Sequence, residues 1–383
     1  MVRSIGIDSG TKTMDIFGFD DKDGTVIIDV AIPRDEITKS AKLVVEKIRE
    51  AQSRLGKIDV IVGPSGYGMH LKKAQDATDE DIASATFVTE ADVKRRLKII
   101  GLRELMLLLR DAGDLNTWFT QGVIHLRTVP KYRKANRIDM GTSDKVLSVV
   151  LAVKDQAERL GVSYDNTSFI LVEVGFGYTS ALAVRNGQII DAMAGTAGFP
   201  SFLGMGFLDS EVAYAVANVA NDFSKMLLFG GGAASVAKVD QSRPLEEFVK
   251  NAETNPQTKE GYSLMLESIV KDVAALLPSV TPKEIILSGR FTRIPEFLAA
   301  LKGKLSEFLE KTGLQVDVQV LQGNARVTKQ AAEGAAIFAN GIAGGKYKGI
   351  VDAMRLWESE GTVFSNLYLG EEIAEKLNVF KKL

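Results

Sequence analysis

An apolar strand, an acidic turn, a second strand, a glycine turn and a third strand follow one another twice along this chain. Val2 to Ile7 and Met14 to Phe19 flank Asp8-Ser9-Gly10-Thr11-Lys12-Thr13, and Asp23-Gly24 supplies a hairpin turn before Thr25 to Ile32. Ser168 to Val172, Glu173-Val174-Gly175-Phe176-Gly177, Tyr178 to Val184 and Asn186-Gly187 before Gln188 to Ile190 repeat the order. Asp8-Ser9-Gly10 aligns on Glu173-Val174-Gly175 at an offset of 165 residues, while Gly24 and Gly187 differ by 163. Any two β-meanders carry glycine turns. Here strand order, acidic position and spacing agree together, which points to an internal duplication with one acid-x-Gly turn at the head of each half.

The length of 383 residues agrees with two halves, since a single core stops growing at roughly 250 to 300 residues. The boundary is expected near residue 165, with a cleft between the domains. Forty-seven basic and 49 acidic residues leave a net charge of −2, which argues against nucleic acid or an anionic membrane as the main partner and favours small-molecule chemistry. The chain has no cysteine and two histidines, His70 and His125, which excludes disulfides, thiol nucleophiles and Cys/His zinc sites. His125, within the apolar run Val123 to Leu126, reads as a core residue. Arg3-Ser4-Ile5-Gly6-Ile7-Asp8 contains no apolar leader, and no run of 18 uncharged apolar residues occurs, so a cytoplasmic location is expected.

Helical spacing of Ile37, Ala41, Val44, Val45, Ile48, Ala51 and Leu55 predicts a helix from about Asp35 to Leu55, capped by Gly56. Ile58 to Val62 reads as a buried strand. An amphipathic helix from about Val93 to Arg110 and a basic segment, Arg127 to Arg137, lie between the two copies, and Ser143 or Asp144 caps a helix ending before Gly161. In the second half a strand at Glu284 to Leu287 leads through Ser288-Gly289-Arg290 to a helix entered at Pro295, and alanines make Lys329 to Asn340 a close-packing helix.

A glycine turn between strands offers backbone N–H groups to a phosphate with no Cβ in the way. Gly10, Thr11, Lys12 and Thr13 form such a surface with Ser9, and Asp8 at the strand end can orient Mg²⁺ through water or activate an acceptor. Gly175, Gly177 and Thr179 beside Glu173 offer the second. Neither turn has the Walker A or Rossmann spacing.

The succession DSGTKT, VEVGFGYTSALAV, IILSGRFTRIPEF and AAEGAAIFANG resembles the phosphate-1, phosphate-2, adenosine and connecting motifs of the acetate and sugar kinase, Hsp70 and actin superfamily. Arg137 to Lys145 is similar to the GTSHK-type segment of its acetate and butyrate kinase branch, and Asn186 to Phe199 to that branch's stretch from the second hairpin onward. The chain resembles in particular the archaeal predicted butyrate kinase family, DUF1464-like. This resemblance implies an α/β fold of two ribonuclease-H-like, actin-like ATPase domains around a nucleotide cleft: residues 1–165 with an insertion at about 64–140, residues 166–345, and a helical tail, 346–383.

It further implies phosphoryl transfer from ATP to a small carboxylate, giving an acyl phosphate, with ATP and Mg²⁺ as cofactors and a homodimer as the assembly. Asp8, Lys12, Asp139 and Asp144 would be catalytic, and Asp8 and Glu173 would hold the metal. Ser9, Gly10, Thr11, Thr13, Gly175, Gly177, Thr179, Ser288, Gly289 and Arg290 would bind the nucleotide. Arg127 and Arg137 would clamp the acceptor carboxylate, because a guanidinium fork pairs with it bidentately. Met140, Asp144 and Glu173 stand where the branch carries histidine, and Arg290 replaces a glycine. The alternative expectation is therefore an ATP-driven conformational switch or activator of the same fold.

Overall fold

A computed structural model describes residues 1–95, 99–220 and 223–381. Each of its two sheets lies mainly in one of two compact units, and the fold is α/β as expected. The first unit comprises Met1–Thr167, Arg185–Ile190 and Gln322–Leu383, and the second Ser168–Val184 and Asp191–Leu321.

The first sheet contains β1 (Arg3–Ser9), β2 (Thr13–Asp20), β3 (Val26–Pro33), β4 (Val60–Val62), β5 (Lys72–Lys73) and β6 (Thr117–Phe119), ordered β3-β2-β1-β4-β6-β5. Strands β1, β2 and β3 form the antiparallel meander, and β4 runs parallel to β1. The second sheet contains β7 (Ser168–Val174), β8 (Thr179–Arg185), β9 (Gln188–Ala194), β10 (Glu284–Ser288) and β11 (Asp317–Val320), ordered β11-β10-β7-β8-β9. Read from the meander, both orders run third, second, first, fourth. The duplication extends to single bonds: the Gly10 N–H donates to the Thr13 carbonyl at 2.9 Å and the Gly175 N–H to the Tyr178 carbonyl at 3.1 Å, again 165 residues apart.

Alternation along β1 and β2 buries Ile5, Ile7, Met14 and Ile16 in a core shared with Val44 and Ile48 of the helix Lys42–Leu55 and Leu105 and Leu109 of the helix Ile99–Asp111. The expected helix over 35–55 is divided into Arg34–Lys39 and Lys42–Leu55, because Ser40 takes an extended backbone (φ −154°, ψ 101°) and closes the first turn through its own N–H. Of the helix expected over 93–110, residues 96–98 lie outside the described residues, which show helices at Glu90–Lys94 and Ile99–Asp111.

The sequence groups 166–345 together, whereas Gln322–Leu383 packs with the first unit. The reason is the alanine-rich helix Gln330–Ile342. Its small residues bring its backbone against β1 at Gly6 and against the helix Ser143–Leu160, where a Cβ on Gly334 would stand 1.9 Å from the Leu147 carbonyl oxygen. Among the described residues no helix is long and apolar enough to cross a membrane.

Candidate functional site

The turn Gly10-Thr11-Lys12 between β1 and β2 sets Asp8 directly opposite Asp15, and both residues are only 1% exposed. Two buried like charges face to face need a cation. It comes from Lys329, at the entry to the helix Gln330–Ile342, whose ammonium pairs with Asp8 Oδ2 and lies 3.5 Å from Asp15 Oδ2. Burial pushes the Asp8 carboxyl up to about 6 against the pull of Lys329, and Asp144 and Asp15 add to the rise. Burial opposes the charge on Lys329, but Asp8 and Asp15 hold its pKa above the usual lysine value.

Asp144 lies in the first turn of the helix Ser143–Leu160, a position that favours negative charge. Against the cost of burial, Lys145 at 2.7 Å and the Thr142 hydroxyl hold its carboxyl below the ordinary range. Arg34, buried at the first position of the helix Arg34–Lys39, donates to Ser9 Oγ at 2.6 Å, and burial lowers its pKa to about 10 although Asp8 opposes the drop. Asp8, Asp15 and Asp144 thus meet three organic cations: Lys329, Lys145 and Arg34.

The turn is less open than its glycine suggests. Gly10 spends its N–H on Thr13, and the Lys12 carbonyl accepts from Arg34 N at 2.8 Å; Thr11 and Lys12 are exposed and Thr13 half-buried. Asp139 is buried and accepts from the Gly141 N–H at 2.9 Å, fixing the loop that enters the Ser143–Leu160 helix. Arg127 is exposed and paired with Glu360, with 2.7 Å from its Nε, and Arg137 is half-buried.

In the second unit Glu173 is half-buried near the end of β7, opposite Ser288 of β10. The Gly177 carbonyl accepts from Gly204 N at 3.0 Å and Ser201 Oγ at 3.1 Å, so this turn is braced by the loop that follows. Thr179 Oγ1 and Ser288 Oγ are buried and have no partner. Gly289 takes φ +99°, and a Cβ there would stand 2.4 Å from the Val174 carbonyl oxygen, so the strand β7 itself requires this glycine. Arg290 follows, half-buried.

For Mg²⁺ the first unit is a poor fit. The ammonium of Lys329 already holds Asp8 Oδ2, and among the described residues no group of three or more acidic or histidine side chains is arranged to hold a metal ion.

The sequence model of a family described as "Protein of unknown function (DUF1464)" matches residues 6–369. The chain belongs to the DUF1464 family. No curated protein matches it by sequence. Among solved structures this DUF1464 chain is similar to the acetate kinase of Porphyromonas gingivalis, at 14% identity and a TM-score of 0.61 over 88% of this chain and 100% of that one. It is similar to acetate kinase from Entamoeba histolytica at 12% identity and a TM-score of 0.59, over 84% of this chain and 96% of that one. A candidate N-acetylmannosamine kinase from Listeria monocytogenes follows at 14% identity and a TM-score of 0.50, over 88% of this chain and 97% of that one. These likenesses establish the fold of the DUF1464 chain as that of acetate- and sugar-kinase structures.

Within the first unit the structure brings together Asp8, Ser9 and Asp144 of the residues singled out in the sequence. Asp15, Arg34, Lys145 and Lys329 were missed. Asp15 was legible, because the short turn after Ser9 fixes the register that sets residue 8 against residue 15. Lys329 left no local signal, being 321 residues from its partner.

Proposed function

We propose that this chain is an ATP-dependent phosphotransferase whose acceptor is a small carboxylate and whose product is an acyl phosphate. The observation that carries the reading is the acid-x-Gly hairpin turn repeated, with the same closing hydrogen bond, at the head of both sheets. The likeness to two acetate kinases supports the choice of a carboxylate.

In this reading Thr11, Lys12 and Thr13 are phosphate-binding residues of the first unit, and Gly175, Gly177, Thr179, Ser288, Gly289 and Arg290 are nucleotide-binding residues of the second. Arg137 clamps the acceptor, and Arg127 would have to leave Glu360 to join it. An ionised carboxylate needs no general base: its oxygen bonds to the γ-phosphorus as the bond to the β–γ bridging oxygen breaks, and ADP leaves with the electron pair. Mg²⁺ belongs to the reading as the counter-ion that ATP brings on its phosphates. A cytoplasmic homodimer completes it.

A second reading is an ATP-driven conformational switch without an acyl phosphate. Lys329 seated on Asp8 favours it, as do Met140, Asp144 and Glu173 at positions where the acetate and butyrate kinase branch carries histidine. The deciding experiment is ADP release from Mg-ATP across short carboxylic acids and, in parallel, sugars including N-acetylmannosamine, with hydroxylamine trapping of acyl phosphate. The proposal expects one acid to raise turnover and yield hydroxamate, and Lys12→Ala, which removes the positive charge assigned to the terminal phosphates, to lower both. Turnover with a sugar alone, or ATP binding indifferent to every acid, overturns it.

A further inference from the structure

We propose that the resident cation of Asp8 is the ammonium of Lys329, which takes the place of a divalent metal ion at this carboxylate. Asp8, Asp15 and Asp144 are met by Lys329, Lys145 and Arg34, so the buried cluster is neutral without a metal, and a divalent ion entering at Asp8 Oδ2 would have to expel the ammonium of a lysine whose side chain is only 19% exposed. Removing that pairing would leave either a buried unpaired lysine or an overcharged cluster.

The ammonium is also held from behind. Six successive backbone N–H groups leading to it donate to carboxylates: Asn324 and Ala325 to Glu333 at 2.7 and 2.9 Å, Arg326, Val327 and Thr328 to Asp29 at 2.7, 3.0 and 2.9 Å, and Lys329 to Asp15 at 3.2 Å. A lysine on a mobile loop would lose backbone as well as rotamer freedom on pairing, whereas this one starts from a backbone already fixed. Gly10 completes the seat. A Cβ on Gly10 would stand 2.2 Å from Lys329 Nζ and 3.0 Å from its Cε, so the glycine of the acidic turn clears the path of the lysine. The route left to a metal is through Asp8 Oδ1 and Asp15 Oδ1, which are buried and have no partner.

The test of this pairing needs neither nucleotide nor acceptor. Mn²⁺ is titrated into the full chain, with free Mn²⁺ followed by electron paramagnetic resonance, for the wild type, Lys329→Met, Lys329→Arg, Asp8→Asn and the Lys329→Met/Asp8→Asn double variant. The wild type, Lys329→Arg and Asp8→Asn should bind Mn²⁺ equally weakly. Lys329→Met should bind at least about tenfold more tightly, and the double variant should lose that gain. Wild-type binding that Asp8→Asn abolishes overturns the proposal, as does a folded Lys329→Met that gains no Mn²⁺. If Lys329→Met does not fold, the comparison of wild type with Asp8→Asn still decides, since any difference in Mn²⁺ affinity between them contradicts a metal-free Asp8.

Discussion

Gly6 of β1 and Ala336 of the helix Gln330–Ile342 meet backbone to backbone, so close that a Cβ on Gly6 would stand 2.2 Å from the Ala336 amide nitrogen and 2.3 Å from the Ala332 carbonyl oxygen. Neither atom can swing aside as a side chain would. This contact fixes the depth at which the helix docks on the sheet, and with it the entry point of Lys329.

Gly6→Ala should therefore cost more than about 3 kcal/mol, at or beyond the upper end for overpacking a rigid core. The control is Gly303→Ala in the helix Pro295–Thr312, where a Cβ meets nothing within 4 Å. There alanine should stabilise by about 0.5–1 kcal/mol. Urea midpoints measure both, and a Gly6→Ala protein as stable as wild type would refute the packing described.

Asp29 of β3 accepts three consecutive amides, and those hydrogen bonds hold its carboxyl below the ordinary range despite the cost of burial. Asp29→Ala should destabilise the chain by about 2 kcal/mol, the partial exposure keeping the loss below three full hydrogen bonds. Amide exchange is the specific readout. Arg326, Val327 and Thr328 should lose protection while the amides of β1 keep theirs, and unchanged exchange at all three would contradict the pinning.

Burial raises the Asp272 carboxyl to about 7; Phe199 N donates to its Oδ1 at 2.9 Å and its Oδ2 has no partner. A carboxyl whose folded pKa lies above its unfolded value stabilises the fold fully below the unfolded value and loses that contribution as pH rises through the folded one. Wild-type stability should thus carry a downward slope between about pH 4 and 7, totalling about 1–4 kcal/mol. Asp272→Asn keeps the acceptor for Phe199 and should remove the slope. Denaturation curves at several pH values would disprove this if the two proteins stayed parallel.

His125 behaves in the opposite sense. Burial lowers its pKa to about 4 against the opposing pull of its hydrogen bond to the Gly122 backbone, whose N–H and carbonyl oxygen lie 3.3 and 3.4 Å from Nδ1. Its contribution is complete above the ordinary histidine value and is lost as pH falls toward the folded one. At pH 5 the loss should be about 2 kcal/mol. His125→Asn, which keeps an acceptor for Gly122, should flatten the acid limb between pH 6.5 and 4. Equal acid sensitivity in both proteins would count against it.

The meanders, their turns and the core faces of β1 and β2 were legible because they are local: a short turn and a period of two are set by neighbours in sequence. The 165-residue offset carried the duplication and, with it, the common strand order. The acidic turn was found for the same reason, and His125 was correctly read as core. Sequence alone also predicted that the alanines between residues 329 and 340 serve close packing.

What the tertiary structure decided is which distant groups share a charge. Lys329 reaches Asp8 across 321 residues, and Asp29 reaches Arg326, Val327 and Thr328 across 297 to 299. No periodicity encodes such pairs, because a buried carboxylate requires a cation and backbone donors but does not specify where in the chain they lie. The same docking gave Gly10 its observed contact, with an ammonium, and assigned the alanine-rich helix to the first unit, since small residues permit a close approach without naming the surface approached.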